Sequence, residues 1–210
     1  MSRRIVYIGL ERCDFIYHLS TILSLRGSVL VVDNSISGDL FSAVCKNGEK
    51  TAEWNNITYA RNVDVEKSDT SYYEHVIIYA GSEPYSEKLD NATLLVMPDY
   101  TKNGVKLLEK LAATEQTEQT LIIMRDYCTK KLTDKSIATL VGINPKAIVG
   151  HLNLSIQDVA AYVTLTHNGH QNIKGVSDNM LEALTYVVSK FFAMDDKKAA
   201  KLVMDAKKIK

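Results

Sequence analysis

Residues 4–33 constrain the fold more than any other stretch. Arg4-Ile5-Val6-Tyr7-Ile8-Gly9 is a β-branched and aromatic run closing on glycine, the pattern of a buried strand. From Asp14 to Arg26 the apolar residues Phe15, Leu19, Ile22 and Leu23 recur at three- and four-residue steps. That spacing predicts a helix, with Asp14 placed to cap its start and Gly27 to end it in a left-handed turn. Ser28-Val29-Leu30-Val31-Val32-Asp33 follows, almost continuously apolar, as strands covered on both faces tend to be. Strand, helix and strand in this order make a βαβ unit, which demands a parallel pair and helices to cover it.

The alternation continues along the chain. Strands are expected at His75–Ala80, Ala92–Met97, Thr120–Met124 and Ala147–Val149, giving six with the first two. Two weaker ones, Thr51–Trp54 and Ile57–Ala60, flank Asn55-Asn56. Helices are expected at Asp39–Val44, Lys102–Thr114, Asp134–Val141, Ile156–Leu165, Ser177–Phe192 and Asp195–Lys208. The prediction is an α/β three-layer sandwich, a mainly parallel sheet flanked by helices, in a single domain over 1–210 that ends in a C-terminal helix at 195–210. A chain of 210 residues, 46% hydrophobic and 24% charged, suits that size. No segment approaches the roughly 20 apolar residues of a membrane span, and Cys13, Cys45 and Cys128 form no Cys-x-x-Cys pair. The expected setting is therefore the cytoplasm, with reduced thiols. The 25 basic residues cancel the 25 acidic ones, which weighs against nucleic acid as a partner.

In such sheets ligands sit beyond the carboxyl ends of the strands. The dinucleotide fingerprint Gly-x-Gly-x-x-Gly fails there, because Glu11 and Asp14 stand at its second and third glycines. Two carboxylates at a pyrophosphate oppose binding by charge and bulk. The mononucleotide loop fares little better: Arg12 falls at the lysine position, Cys13 at the magnesium-binding hydroxyl and Glu11 at the neighbouring glycine. Gly9, Arg12, Cys13 and Asp33 are the candidate remnant of a nucleotide or anion site. Arg12 can hold an anion at a helix start or pair with Glu11 or Asp14, and the two acids favour pairing. Asp33 reads equally as a former magnesium neighbour or as a turn residue before Asn34-Ser35. Cys13 between acids reads as a quiet thiol. His151, His167 and His170 have no nearby Cys or acid to complete a metal set.

The segment order resembles the ParA and MinD group of deviant-Walker ATPases, including the CpaE and TadZ branch of pilus and secretion systems. Ser24 to Asp33 is similar to that family's second strand, and Tyr73-Glu74-His75-Val76-Ile77-Ile78-Tyr79 to its Walker B strand, with Tyr79 in place of the acid. Ala92 to Asp99 and Thr120 to Asp126 look like its next two strands, with Arg125-Asp126 where the family has a base-contacting Asn. Of the signature Lys-Gly-Gly-x-Gly-Lys-Thr only Gly9 remains, and Tyr7 replaces the deviant lysine. The resemblance implies the P-loop fold, and the altered motifs imply a pseudo-ATPase, an assembly or localisation scaffold for a pilus, secretion or conjugation machine. No catalytic residue, metal or cofactor is expected; the alternatives are a divergent enzyme using ATP and magnesium and, less favoured, an NAD-type dinucleotide-sensing module.

Eleven tyrosines against four phenylalanines and one tryptophan are a skewed aromatic set. Tyr79, Tyr85, Tyr100 and Tyr127 fall at predicted strand ends and are candidate interface residues, because relatives dimerise through that face. Protein partners, including a second copy, are therefore expected. The tail has acids first and lysines last, as a helix dipole prefers. Relatives use such a helix at membranes, but with only Leu202, Val203, Met204 and Ile209 as bulk, packing on its own domain is favoured over peripheral membrane contact.

Overall fold

A computed structural model describes residues 2–45, 49–82, 92–112, 120–127 and 133–209. The strands are β1 (Arg3–Gly9), β2 (Val29–Asp33), β3 (Thr51–Trp54), β4 (Ile57–Arg61), β5 (His75–Tyr79), β6 (Ala92–Met97), β7 (Thr120–Tyr127) and β8 (Ile148–Asn153). The helices are α1 (Asp14–Leu23), α2 (Asp39–Val44), α3 (Lys102–Ala112), α4 (Asp134–Val141), α5 (Ile156–Asn168), α6 (Asp178–Phe192) and α7 (Asp196–Ala206). The described strands form one sheet in the order β3-β4-β2-β5-β1-β6-β7-β8. Every pair is parallel except β3 with β4.

The two weaker strands form as expected, so the sheet has eight strands among the described residues. Asn55 and Asn56 have φ of 47° and 62°, the pair of left-handed residues that a two-residue hairpin turn needs. Alternate residues of the central strands feed two separate cores. Ile5, Tyr7, Ile77 and Tyr79 pack with α1, α2, α5, α6 and α7, whereas Val6, Ile8, Val76 and Ile78 pack with α3 and α4. The sheet is therefore covered on both faces, but unequally.

The heavier cover buries every residue of α1. That includes Asp14, His18, Ser20 and Thr21, which a surface helix would turn outward. The expected cap is displaced by one residue: Cys13 holds the N-cap position and Asp14 is the first helical residue. The helix also stops earlier than expected, at Leu23, and Gly27 lies beyond it with φ of 157°, not in the left-handed helical region. At Gly27 the Glu74 side chain packs where a Cβ would project.

Elsewhere the differences are small. Pro145–Ala147 forms a single 3-10 turn, so β8 starts one residue late, and it runs on to Asn153. α5 continues to Asn168 and ends on Gly169 at φ 78°. Ser177 and Asp195 cap α6 and α7 through their side chains. α7 turns Ala199, Val203 and Ala206 into the core, leaving Met204 as its exposed apolar side chain. Its apolar face is therefore already covered by its own domain. Among the described residues no helix is long and apolar enough to cross a membrane.

Candidate functional site at the carboxyl ends of the strands

β1, β2, β5, β6 and β7 all deliver their carboxyl ends to the start of α1, where Gly9, Arg12, Cys13 and Asp33 meet. A phosphate cradle is made of backbone N–H groups that point into open space. Here the amides of Gly9, Leu10, Arg12 and Cys13 already have acceptors within the protein. Gly9 donates to the Gly81 carbonyl at 2.8 Å, Leu10 to Met97 at 3.3 Å and Arg12 to Leu10 at 2.7 Å. Cys13 donates to the carboxylate of Asp39 at 3.1 Å, so the anion at the helix start belongs to the chain itself.

Gly9 also has a packing reason to be glycine. A Cβ there would run into the Met97 carbonyl and lie 3.1 Å from the Tyr7 hydroxyl. Tyr7 donates that hydroxyl to the Leu10 carbonyl at 3.1 Å, and its ring lies 5.2 Å from that of Tyr79. Both tyrosines are fully buried, and burial drives both phenols far above their ordinary pKa. Tyr79 therefore belongs to the core, and its ring is not available to a partner. Burial, with Asp39 next in effect, likewise drives the Cys13 thiol far up, so the helix start yields no reactive thiolate.

The strongest interaction at this end joins residues far apart in sequence. Arg125 Nη2 donates to both carboxylate oxygens of Asp14, at 2.7 and 2.6 Å, and each side chain is 1% exposed. Arg12 adds a second guanidinium, 3.0 Å from Asp14 and 3.3 Å from Asp126, and lies over the Tyr162 ring at 5.3 Å. Arg12 is thus paired with Asp14, as its neighbours suggested, but the partner is interior. Burial by itself raises the Asp14 carboxyl pKa; Arg125 and then Arg12 outweigh it, and the net result lies below the ordinary value. Asp126 has φ of 54°, and the β7–β8 register shifts between Arg125 and Tyr127. That bulge falls where Arg125 enters the α1 side of the sheet.

Asp33 is buried, and both of its carboxylate oxygens are hydrogen-bonded within the chain. One oxygen accepts from the Ser35 amide at 3.0 Å and the Ser35 hydroxyl at 2.5 Å, the other from the Phe41 amide at 2.8 Å. These are the bonds of a turn residue. Glu11 accepts from the Ser37 amide at 3.1 Å and the Ser82 hydroxyl at 3.3 Å. Glu11, Asp14, Asp33 and Asp39 thus converge near one helix start.

The Tyr100 and Tyr127 rings lie 5.2 Å apart at a tilt of 56°, and Tyr127 lies 5.1 Å from His151, whose Nε2 is 2.7 Å from the Asp134 carboxylate. Tyr85 and Cys128 fall outside the described residues. Among those described, no group of His, Cys, Asp and Glu has the arrangement of a metal site. Apart from Ile36 after β2, which is 73% exposed, the exposed apolar residues at this end gather at α5: Leu154, Ile156, Val159 and Val163, in and before its first turns, are 55%, 90%, 38% and 46% exposed. Sequence reasoning missed this stripe, the Asp14–Arg125 pair and the role of Asp39. The stripe was legible as Ile156, Val159 and Val163, spaced to share one helix face.

Among solved structures the chain is similar to a ParA family ATPase from Chlorobium tepidum, with a TM-score of 0.58 and 12% identity over 97% of this chain and 98% of that one. The chain has the fold of the ParA and MinD ATPases. The same likeness extends to the MinC:MinD cell division complex of Aquifex aeolicus, at a TM-score of 0.56, 12% identity and coverage of 97% and 96%. A plasmid partition protein of Borrelia burgdorferi, solved with AMPPNP bound, matches at 0.55 and 12% identity over 98% of each chain. No protein-family model matches the sequence, and no curated protein matches it significantly. The ParA/MinD fold is therefore formed here by a sequence only 12% identical to these structures.

Proposed function

We propose that the protein is a noncatalytic scaffold built on the ParA/MinD fold, related to the CpaE and TadZ branch, that works through protein contacts in a pilus, secretion or conjugation assembly. The observation that carries this reading is the closed helix start: the amide of Cys13 is taken by Asp39, and Asp14 is held by two arginines. A nucleotide would have to displace bonds made inside the chain and bring phosphates among Glu11, Asp14, Asp33 and Asp39. Arg12 is committed to Asp14 and Asp126, and Asp33 to its own turn. Titration calorimetry with ATP and with ADP, each with magnesium, is expected to show no binding. Micromolar affinity with measurable turnover would overturn the reading in favour of a divergent ATPase, and loss of that turnover in Arg12→Ala would assign Arg12 to it.

The partner contact proposed with this reading is a second copy through α5. Its exposed face carries Ile156, Val159, Ala160 and Val163, and the helix's one carboxylate, Asp158, is buried on Ser177. A two-fold axis sets a surface against itself, so a face without charge meets its copy without like-charge repulsion. Light scattering is expected to give a dimer for the wild-type protein and a monomer for Ile156→Asp with Val163→Asp. A wild-type monomer at all concentrations would refute the dimer. Tyr100 and Tyr127 would then be the remaining candidate contacts at this end.

A further inference from the structure

At the opposite end of the sheet, around the amino ends of β1 and β5, a cleft of about 540 Å³ is bordered by Arg3, Arg26, Glu74, His75, Phe192 and Lys198. Three polar groups gather around the Phe192 ring. The guanidinium carbons of Arg3 and Arg26 lie 5.4 and 5.1 Å from its centroid, and the His75 ring lies 5.3 Å away. His75 is 5% exposed, yet neither of its ring nitrogens has a hydrogen-bond partner within the protein. Buried polar groups are nearly always satisfied, and each exception calls for a cause. Arg3 spends one N–H on the Phe191 carbonyl at 3.3 Å, which fixes the guanidinium at the cleft wall. Lys198 reaches Asp195 at 3.2 Å and adds positive charge at the rim. Glu74, a carboxylate on the same cleft wall, opposes these positive charges in part, and its side chain packs against Gly27.

We propose that this cleft binds the phosphate group of a phosphomonoester, with the Arg3 and Arg26 guanidinium groups meeting its oxygens and the His75 ring N–H, sealed from solvent in this structure, reached when the Phe192 ring gives way. A phosphate presents three strong acceptors in different directions, whereas a carboxylate presents two in one plane. Guanidinium groups suit such an anion better than ammonium groups do, because their N–H donors are fixed in a planar fork. The cleft volume lies in the range of small-molecule sites, so the phosphate can carry an organic group of metabolite size. Lipid headgroups and free metabolites share this chemistry, and the test separates them.

The probes are inorganic phosphate, followed by calorimetry of the full chain at constant ionic strength, and phosphatidylcholine vesicles containing phosphatidic acid, followed by co-sedimentation. Saturable binding of inorganic phosphate is expected, with a shift of the His75 imidazole nitrogen resonances. Arg26→Ala, at an exposed position, is expected to weaken binding about tenfold. His75→Phe keeps an aromatic ring against Phe191 and Phe192, removes the N–H and is expected to weaken it too. Lys174→Ala, which removes the same charge outside the cleft, should leave affinity unchanged. Vesicle binding that Arg26→Ala abolishes would assign the phosphate to a lipid; phosphate binding without vesicle binding would assign it to a soluble ligand. Failure of both probes, or equal weakening by Lys174→Ala, overturns the proposal.

Discussion

Replacing Arg125 by Met is expected to destabilise the protein by about 3–5 kcal/mol, because it leaves the Asp14 carboxylate buried with only Arg12 to answer it. Total stabilities of such domains are about 5–15 kcal/mol, so the loss should be plain in urea unfolding and in Tm. The pair is not thereby a large net source of stability. Taking both charges out of water costs much of what their attraction returns, so the double replacement Asp14→Leu with Arg125→Met is expected to recover most of the loss. A double-mutant cycle measures the coupling directly. Strictly additive losses would show that the two side chains act independently. Because the folded Asp14 carboxyl pKa lies below its unfolded value, its contribution is complete above the ordinary carboxylate range and disappears as pH falls through the folded value.

His18 supplies a second large effect, at higher pH. It is fully enclosed in α1, both ring nitrogens lack a partner within the protein, and burial pushes its pKa from 6.5 down to about 4, with Asp14 opposing in part. Below pH 6.5 the unfolded chain takes up a proton that the folded chain refuses until about pH 4. Protonation therefore favours unfolding, and about 3 kcal/mol of stability is expected to vanish across that window. His18→Phe keeps an aromatic ring beside Tyr17 and removes the titration. Its unfolding free energy should match or exceed that of the wild-type protein at pH 7 and fall less steeply between pH 6.5 and 4. Parallel profiles for the two proteins would refute the assignment.

Much of the architecture was legible in the sequence for local reasons. The β1-α1-β2 unit followed from apolar spacing, and the β3–β4 hairpin was already marked by Asn55-Asn56, although its strands looked weak. What escaped was tertiary. Periodicity compares the faces of one helix with each other, so α1 read as amphipathic; it does not reveal that α5, α6 and α7 cover the second face. Asp14 and Arg125 are 111 residues apart, and the only local trace of their pairing is a charged residue ending the apolar run of β7. Asp39 was equally silent, because an acid in the first turn of a short helix is ordinary and its bond to Cys13 crosses 26 residues.

That bond has a consequence for how the protein responds to its surroundings. A dissociable anion at a helix start stabilises a fold in proportion to its concentration, so the fold follows the supply of that anion. Asp39 is tethered and is present at the same effective concentration in every cell and every buffer. The stability of this domain is therefore expected to be uncoupled from nucleotide supply: starvation or plenty should leave its folded fraction alike.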